Sequence, residues 1–173
     1  LVNTEKTYDV MINKFGYRGL DDPTVYYTND YRIQVLNHRS NLNSLAQALI
    51  DEGKVEKAGR VLSFSLEKMP DTAVPYDPSS PDTVNLLFKA GQKQKAVEVA
   101  TAVANRANDV ATYLLSDSGD VSFELRKNMY LLGAMQQTLY ENGQNELAKN
   151  FEDAYTRLIS TLQHNRDKGG LMN

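Results

Sequence analysis

Three times in this chain an apolar helical stretch ends in a glycine that is followed five residues later by an alanine. The copies are "GKVEKA" (Gly53, Ala58), "GQKQKA" (Gly91, Ala96) and "GQNELA" (Gly143, Ala148). A glycine closing a helix supplies the left-handed residue that turns the chain back. An alanine early in the next helix lets two backbones approach where a leucine would hold them apart. Each copy therefore predicts an αα-hairpin, and three copies in the same context predict internal repetition. Ala58 and Ala96 are 38 residues apart, and Ala96 and Ala148 are 52 apart.

Apolar periodicity fills in the helices. Leu42, Leu45, Ala46 and Leu49 follow the i, i+3, i+4, i+7 spacing of a helix that buries one face. Ala58, Val61, Leu62, Ser65, Leu66 and Met69 repeat it until Pro70, which a continuing helix cannot carry. After the second turn Ala96, Val99, Ala100, Val103 and Ala107 share a face. The third copy pairs Leu125, Met129, Leu132 and Leu139 with Leu147, Phe151, Ala154, Tyr155, Leu158 and Leu162. The expected organisation is an all-α chain. An arm covers residues 1–29, hairpins cover about 30–69, 82–115 and 122–165 within a repeat domain of 30–165, and a flexible tail covers 166–173.

Two segments interrupt the helical text. "PDTAVPYDPSSPD" holds four of the five prolines and is expected to be an extended, stiff link. "SDSGD", residues 116–120, is expected to be a polar turn. The arm is irregular and rich in tyrosine (Tyr8, Tyr17, Tyr26, Tyr27), which predicts rings buried on the first hairpin and hydroxyls at the rim.

Composition removes several classes of function. The formal charge is −3 and the 19 basic residues are scattered, so the chain has no cationic stripe for nucleic acid. Absence of cysteine removes disulfides, thiolate nucleophiles and Cys-type zinc sites. Apolar runs fall far short of the roughly 18 residues that a membrane span needs, so no direct membrane insertion is expected of this stretch. No Gly-rich phosphate loop, nucleophile motif or metal cluster is present, so neither an enzyme nor a bound cofactor is expected. "LVNTEK" carries no initiating methionine and no leader pattern, which suggests a piece of a longer chain.

The first hairpin resembles a tetratricopeptide repeat. That pattern of a large residue, then Leu, Gly, Tyr, Ala, Phe and Pro is met by Leu42, Leu45, Ala46, Leu49, Ala58, Leu62 and Pro70. The resemblance implies a tetratricopeptide-like array of about three αα-hairpins stacked in a right-handed superhelix. A wider likeness is carried by "NKF", "GLDDPxVYY", "NxRSN", "LAQALIDEGKxEKA" and "MPDxxVPYD". It is to the C-terminal soluble region of a family of large bacterial multi-spanning membrane proteins of uncharacterised function. The membrane half of that family is similar to protein O-mannosyltransferases. The likeness implies a non-catalytic interaction domain on the extracytoplasmic, periplasmic side. Its partner would be a protein or peptide, or the membrane half of the parent chain, and no family catalytic residue falls in this stretch. A stand-alone tetratricopeptide-like peptide-binding adaptor is the alternative.

In tetratricopeptide arrays the first helix of each hairpin lines a concave face. Its inward positions here are Arg39, Asn43 and Gln47, then Asn85 and Phe88, then Tyr130, Gln137 and Tyr140. Arg39, Asn43 and Gln47, spaced by four, share one helix face. Amides can bond an extended peptide backbone, aromatic rings can take its side chains, and a guanidinium can fork onto a carboxylate. Other polar groups have plainer readings. Asp21 and Asp22 before Pro23 suit a turn; His38 and His164 suit solvated or rim positions; Asp51, Glu52 and the "KQK" of 93–95 suit exposed turns.

Overall fold

The computed structural model describes residues 3–117 and 122–170. Among them the secondary structure is helical, with no strand. Helix α1 (Thr4–Tyr8) opens into a π-helical turn, Asp9–Lys14, so the arm is more ordered than its composition predicts. Then come α2 (Asn29–Asp51), α3 (Val55–Lys68), α4 (Ser80–Lys89), α5 (Lys93–Asp117), α6 (Phe123–Glu141) and α7 (Asn145–Gly170). Helix α5 extends through Asp117, so the start of the expected 116–120 turn is helical and the rest of it lies outside the described residues. Helix α7 likewise continues past the expected end of the third hairpin to Gly170, and residues 171–173 of the expected tail lie outside the described residues.

The three glycine turns share one geometry. Gly53, Gly91 and Gly143 have φ of 75°, 73° and 72°. Each glycine N–H donates to the carbonyl three residues back, that of Ile50, Phe88 or Tyr140. The next residue reaches one step further: Lys54 N–H to Leu49 at 2.8 Å, Gln92 to Leu87 at 2.8 Å and Gln144 to Leu139 at 2.9 Å. This is the Schellman pattern, in which two otherwise orphaned helix carbonyls are satisfied by the reversing chain. The carbonyls of Lys54, Gln92 and Gln144 then accept the first bonds of the following helices, from the N–H groups of Ala58, Ala96 and Ala148. The five-residue spacing thus places the alanine at the first inward position of the new helix. All three alanines are buried, as are the three leucines whose carbonyls close the turns.

The chain divides into two compact units, one ending at Ala96 and one beginning at Val97. In the first, α2 packs along α3, and both meet α4. Its core joins Leu42, Leu45, Ala46 and Leu49 to Ala58, Val61, Leu62, Val84 and Leu87. Gln92 fastens the second turn to α3: its Nε2 donates to Gly59 O at 2.9 Å and its Oε1 accepts from Ser63 Oγ at 2.8 Å. Lys95, read from sequence as a solvated turn residue, donates to Ser63 Oγ. In the second unit α6 packs along α7 around Leu125, Leu132, Met135, Leu139, Phe151 and Leu158. Asn165 of α7 donates to Leu115 O of α5 at 2.9 Å.

The arm lies on the first hairpin, though not as its tyrosines suggest. Tyr17 is buried ring and hydroxyl together, edge-on to Phe64, with Phe15 and His38 beside it. Burial pushes its phenol pKa up. Tyr27 donates to Gly19 O at 2.7 Å, whereas Tyr26 is 85% exposed, contrary to the expectation of a buried ring. Asp22 accepts from both the N–H and the hydroxyl of Thr24, which makes it the turn residue expected.

Ion pairs hold α1 to the first glycine turn. Glu5 meets Lys54 and Lys57, and Glu52 accepts from Thr4 and pairs with Lys54. Glu52 is therefore a tether rather than a free turn carboxylate. The lysine hydrogen bonds, that of Lys54 first, lower the Glu5 pKa from 4.5 to about 2; the same lysine, then Thr4, lower that of Glu52. A lowered native pKa gives stability that is present above the unfolded value and lost as pH falls through the folded one. The arm contact should hold above about pH 4.5 and loosen towards pH 2. An NMR titration checks this: the Thr4 methyl resonance should approach its unstructured position over that window, and Lys54→Ala should move the loss to higher pH.

Candidate functional site

The sequence-selected residues separate into buried, grooved and outward-facing groups. Arg39 on α2 is 1% exposed. Its guanidinium donates to Met69 O at 3.0 Å, Val74 O at 2.8 Å and Pro75 O at 3.3 Å, and pairs with Asp77 Oδ2 at 3.4 Å. Tyr76 lies 5.2 Å away as a cation–π partner. Desolvation pulls the guanidinium pKa down, against Asp77, Tyr76 and Asp71, which raise it. The expectation that Arg39 would fork onto a ligand carboxylate is corrected: its long stem reaches the proline-rich link, its two terminal nitrogens donate there, and its Nε is buried without a partner.

The same contacts correct the reading of that link. It is not an extended strut. Pro70 O accepts from the N–H groups of Ala73 and Val74, and Asp71 Oδ1 accepts from Tyr76 N–H at 2.8 Å. Asp77 Oδ1 accepts from Ser79 N–H, and Ser80 Oγ accepts from Asp77 N–H, at the entry to α4. The prolines remove competing N–H donors, and Arg39 collects the carbonyls that a coiled link turns inward.

Asn43, one turn further along α2, is 7% exposed and belongs to both core and surface. Its Nδ2 donates to Thr83 Oγ1 of α4 at 2.8 Å, and its Oδ1 is buried without a partner. Whichever end of the amide faces Thr83, the other polar atom is left over. Around this side chain α2 and α4 form a groove of about 420 Å³, lined by Ser40, Ser44, Gln47, Asp51, Ser79, Asp82 and Asn85. Gln47 and Asn85 are half-buried along it. Gln47 Nε2 donates to Asp51 Oδ1 at 2.6 Å, and its Oε1 lies 3.5 Å from Lys89 Nζ.

Phe88 is half-buried on α4 and is not part of that lining. In the second unit Tyr130 and Tyr140 stand exposed on α6, as does Gln137, whose Nε2 donates to Glu141 Oε1 at 2.7 Å. Phe123, one heptad before Tyr130, is 74% exposed on the same helix.

The structure thus brings Asn43, Gln47 and Asn85 together and removes Arg39 from their company. Sequence reasoning missed Ser40, Ser44, Ser79 and Asp82, and read Asp51 as a turn residue. The signal for three of these was available, because Ser40, Ser44, Gln47 and Asp51 recur at helical spacing on α2. Among the described residues no three His, Asp or Glu side chains gather as a metal would need, and no helix is long and apolar enough to cross a membrane.

Comparison of the chain with protein-family models, with curated proteins and with solved structures finds no match.

Proposed function

We propose that this chain is a non-catalytic protein-interaction domain of tetratricopeptide-like hairpins, and that the α2–α4 groove of its first unit holds an extended peptide segment. The observation that carries the reading is the polar groove itself, along which Gln47 and Asn85 stand half-buried between α2 and α4 beside the Asn43 amide. Gln47 and Asn85 beside it are the residue types that bond an extended backbone. The three Schellman turns support a repeated hairpin as the scaffold.

The wider resemblance adds the setting: an extracytoplasmic, C-terminal part of a membrane-embedded glycosyltransferase-like protein. The reading frame upstream of residue 1 tests it. Several apolar runs of about 20 residues are expected there; a frame without them favours the stand-alone adaptor.

The groove itself is tested by peptide display. Seven-residue peptides selected on the wild-type chain should lose about tenfold or more in affinity on Gln47→Ala/Asn85→Ala, since two amide hydrogen bonds at roughly 1 kcal/mol each exceed the 1.4 kcal/mol of a decade. The melting temperature should stay within about 1–2 °C, because neither side chain is a core residue. Undiminished binding would overturn the groove. Asn43 is unsuited to this experiment: Asn43→Ala removes the Thr83 bond between α2 and α4 and is expected to cost about 1–2 kcal/mol of stability on its own, measurable by denaturant unfolding.

A further inference from the structure

We propose that the peptide taken by the α2–α4 groove presents a lysine or arginine side chain, an inference that rests on reading the groove as a peptide site. Three of the six donor-bearing side chains in the lining bond within the fold, Gln47 Nε2 to Asp51 Oδ1, Ser44 Oγ to Ser40 O and Asn43 Nδ2 to Thr83 Oγ1; the Ser40 and Ser79 hydroxyls and the Asn85 amide line the groove beside them. The charged groups of the lining are both carboxylates. The acceptors left along it are the second Asp51 carboxylate oxygen, the Asp82 carboxylate and Gln47 Oε1. Asp51 and Asp82 are both exposed and stand on different helices, α2 and α4, so two negative charges border the groove from opposite walls.

The lining contains no lysine or arginine. The arginine nearest in sequence, Arg39, is committed to the proline-rich link. At the rim Lys89 touches Gln47 Oε1 at 3.5 Å, the long end of hydrogen bonding, from an exposed side chain that a better-placed cation would displace. A groove whose lining charges are two carboxylates selects a cationic ligand, since opposite charge across the interface sets the sign of its partner. Backbone N–H groups of an extended chain answer Gln47; an ammonium or guanidinium answers Asp51 and Asp82. An acidic peptide would bring its carboxylates against both aspartates.

The test is an NMR titration of the uniformly ¹⁵N-labelled chain with four probes. These are the capped peptides Ac-Thr-Lys-Val-Lys-Thr-NH₂, its glutamate and norleucine counterparts, and spermidine. The lysine peptide should shift the side-chain amide resonances of Gln47, Asn85 and Asn43, with an affinity at least about tenfold above the glutamate peptide and falling with added salt. Asp82→Asn, which touches no bond within the groove lining, should reduce that preference several-fold, and Asp51→Asn/Asp82→Asn should abolish it while backbone shifts elsewhere stay in place. Equal affinity for lysine, norleucine and glutamate peptides would overturn the charge selection while leaving a peptide groove. Spermidine matching the lysine peptide at the same resonances would overturn a peptide as the source of the cation. No shift from any probe would overturn both the charge selection and the groove.

Discussion

Arg39→Ala is expected to destabilise the first unit by about 3–5 kcal/mol, the cost of removing one member of a buried charge network. An exposed arginine would contribute at most about 1 kcal/mol, so the measurement separates the two placements clearly. The reason for the larger figure is the number of groups left behind. Met69, Val74 and Pro75 would lose a donor, and Asp77, whose side chain is 13% exposed, would lose its counter-charge. Truncation would also empty the volume of a side chain that ranks among the largest fully buried ones. Arg39→Lys should recover only part of the loss, because a single ammonium cannot span three carbonyls and a carboxylate in the plane that the guanidinium fork covers. Chemical denaturation of the three proteins checks the order. In a double-mutant cycle with Asp77→Asn, a coupling well below the total loss is expected, since most of the bonds run to backbone.

Replacing all three turn glycines, Gly53, Gly91 and Gly143, by alanine is expected to cost roughly 3–6 kcal/mol, at about 1–2 kcal/mol for each residue forced to hold a left-handed conformation. The sites are well suited to such a sum. A Cβ built at any of the three meets no atom within 4 Å, so the penalty is one of backbone conformation and not of collision. Gly133 provides a control of opposite sign. It lies inside α6 without a positive φ, and a Cβ there would touch the Tyr155 ring at 3.6 Å, an ordinary contact. Gly133→Ala should therefore stabilise by about 0.5–1 kcal/mol through helix propensity. Denaturant midpoints of the single variants and of the triple variant decide the matter. A triple variant as stable as the wild type would remove the shared turn as a structural unit.

The hairpin turns were legible because their causes are local: a glycine that can turn left-handed, a leucine carbonyl one turn before it and an alanine five residues after it lie within about ten residues. The apolar stripes were legible for the same reason, and Leu42, Leu45, Leu49, Leu62, Leu132 and Leu139 are all buried where periodicity put them. Arg39, Asn43 and Gln47 failed as a trio because spacing fixes a shared helix face but not what covers each part of it. Along α2 that face is overlain first by the folded link, then by Thr83 of α4, and lies open only at Gln47. The link was misread because four prolines argue for stiffness, while the long-range donor that gathers its carbonyls lies more than thirty residues earlier. Tyr26 departs from the buried ring expected of it, and Tyr17 keeps the buried ring but not the rim hydroxyl, because composition does not fix which side of a turn a ring leaves.

The central claim is that α2 and α4 keep one polar groove open for a peptide while the polar side chains next to it serve the fold. It is tested most directly by the affinity of Gln47→Ala/Asn85→Ala for a peptide selected on the wild-type chain, measured where both proteins are fully folded. The expected result is a loss of about tenfold or more with an unchanged melting temperature. Equal affinity, or a fall in melting temperature comparable with that of Arg39→Ala, would contradict it.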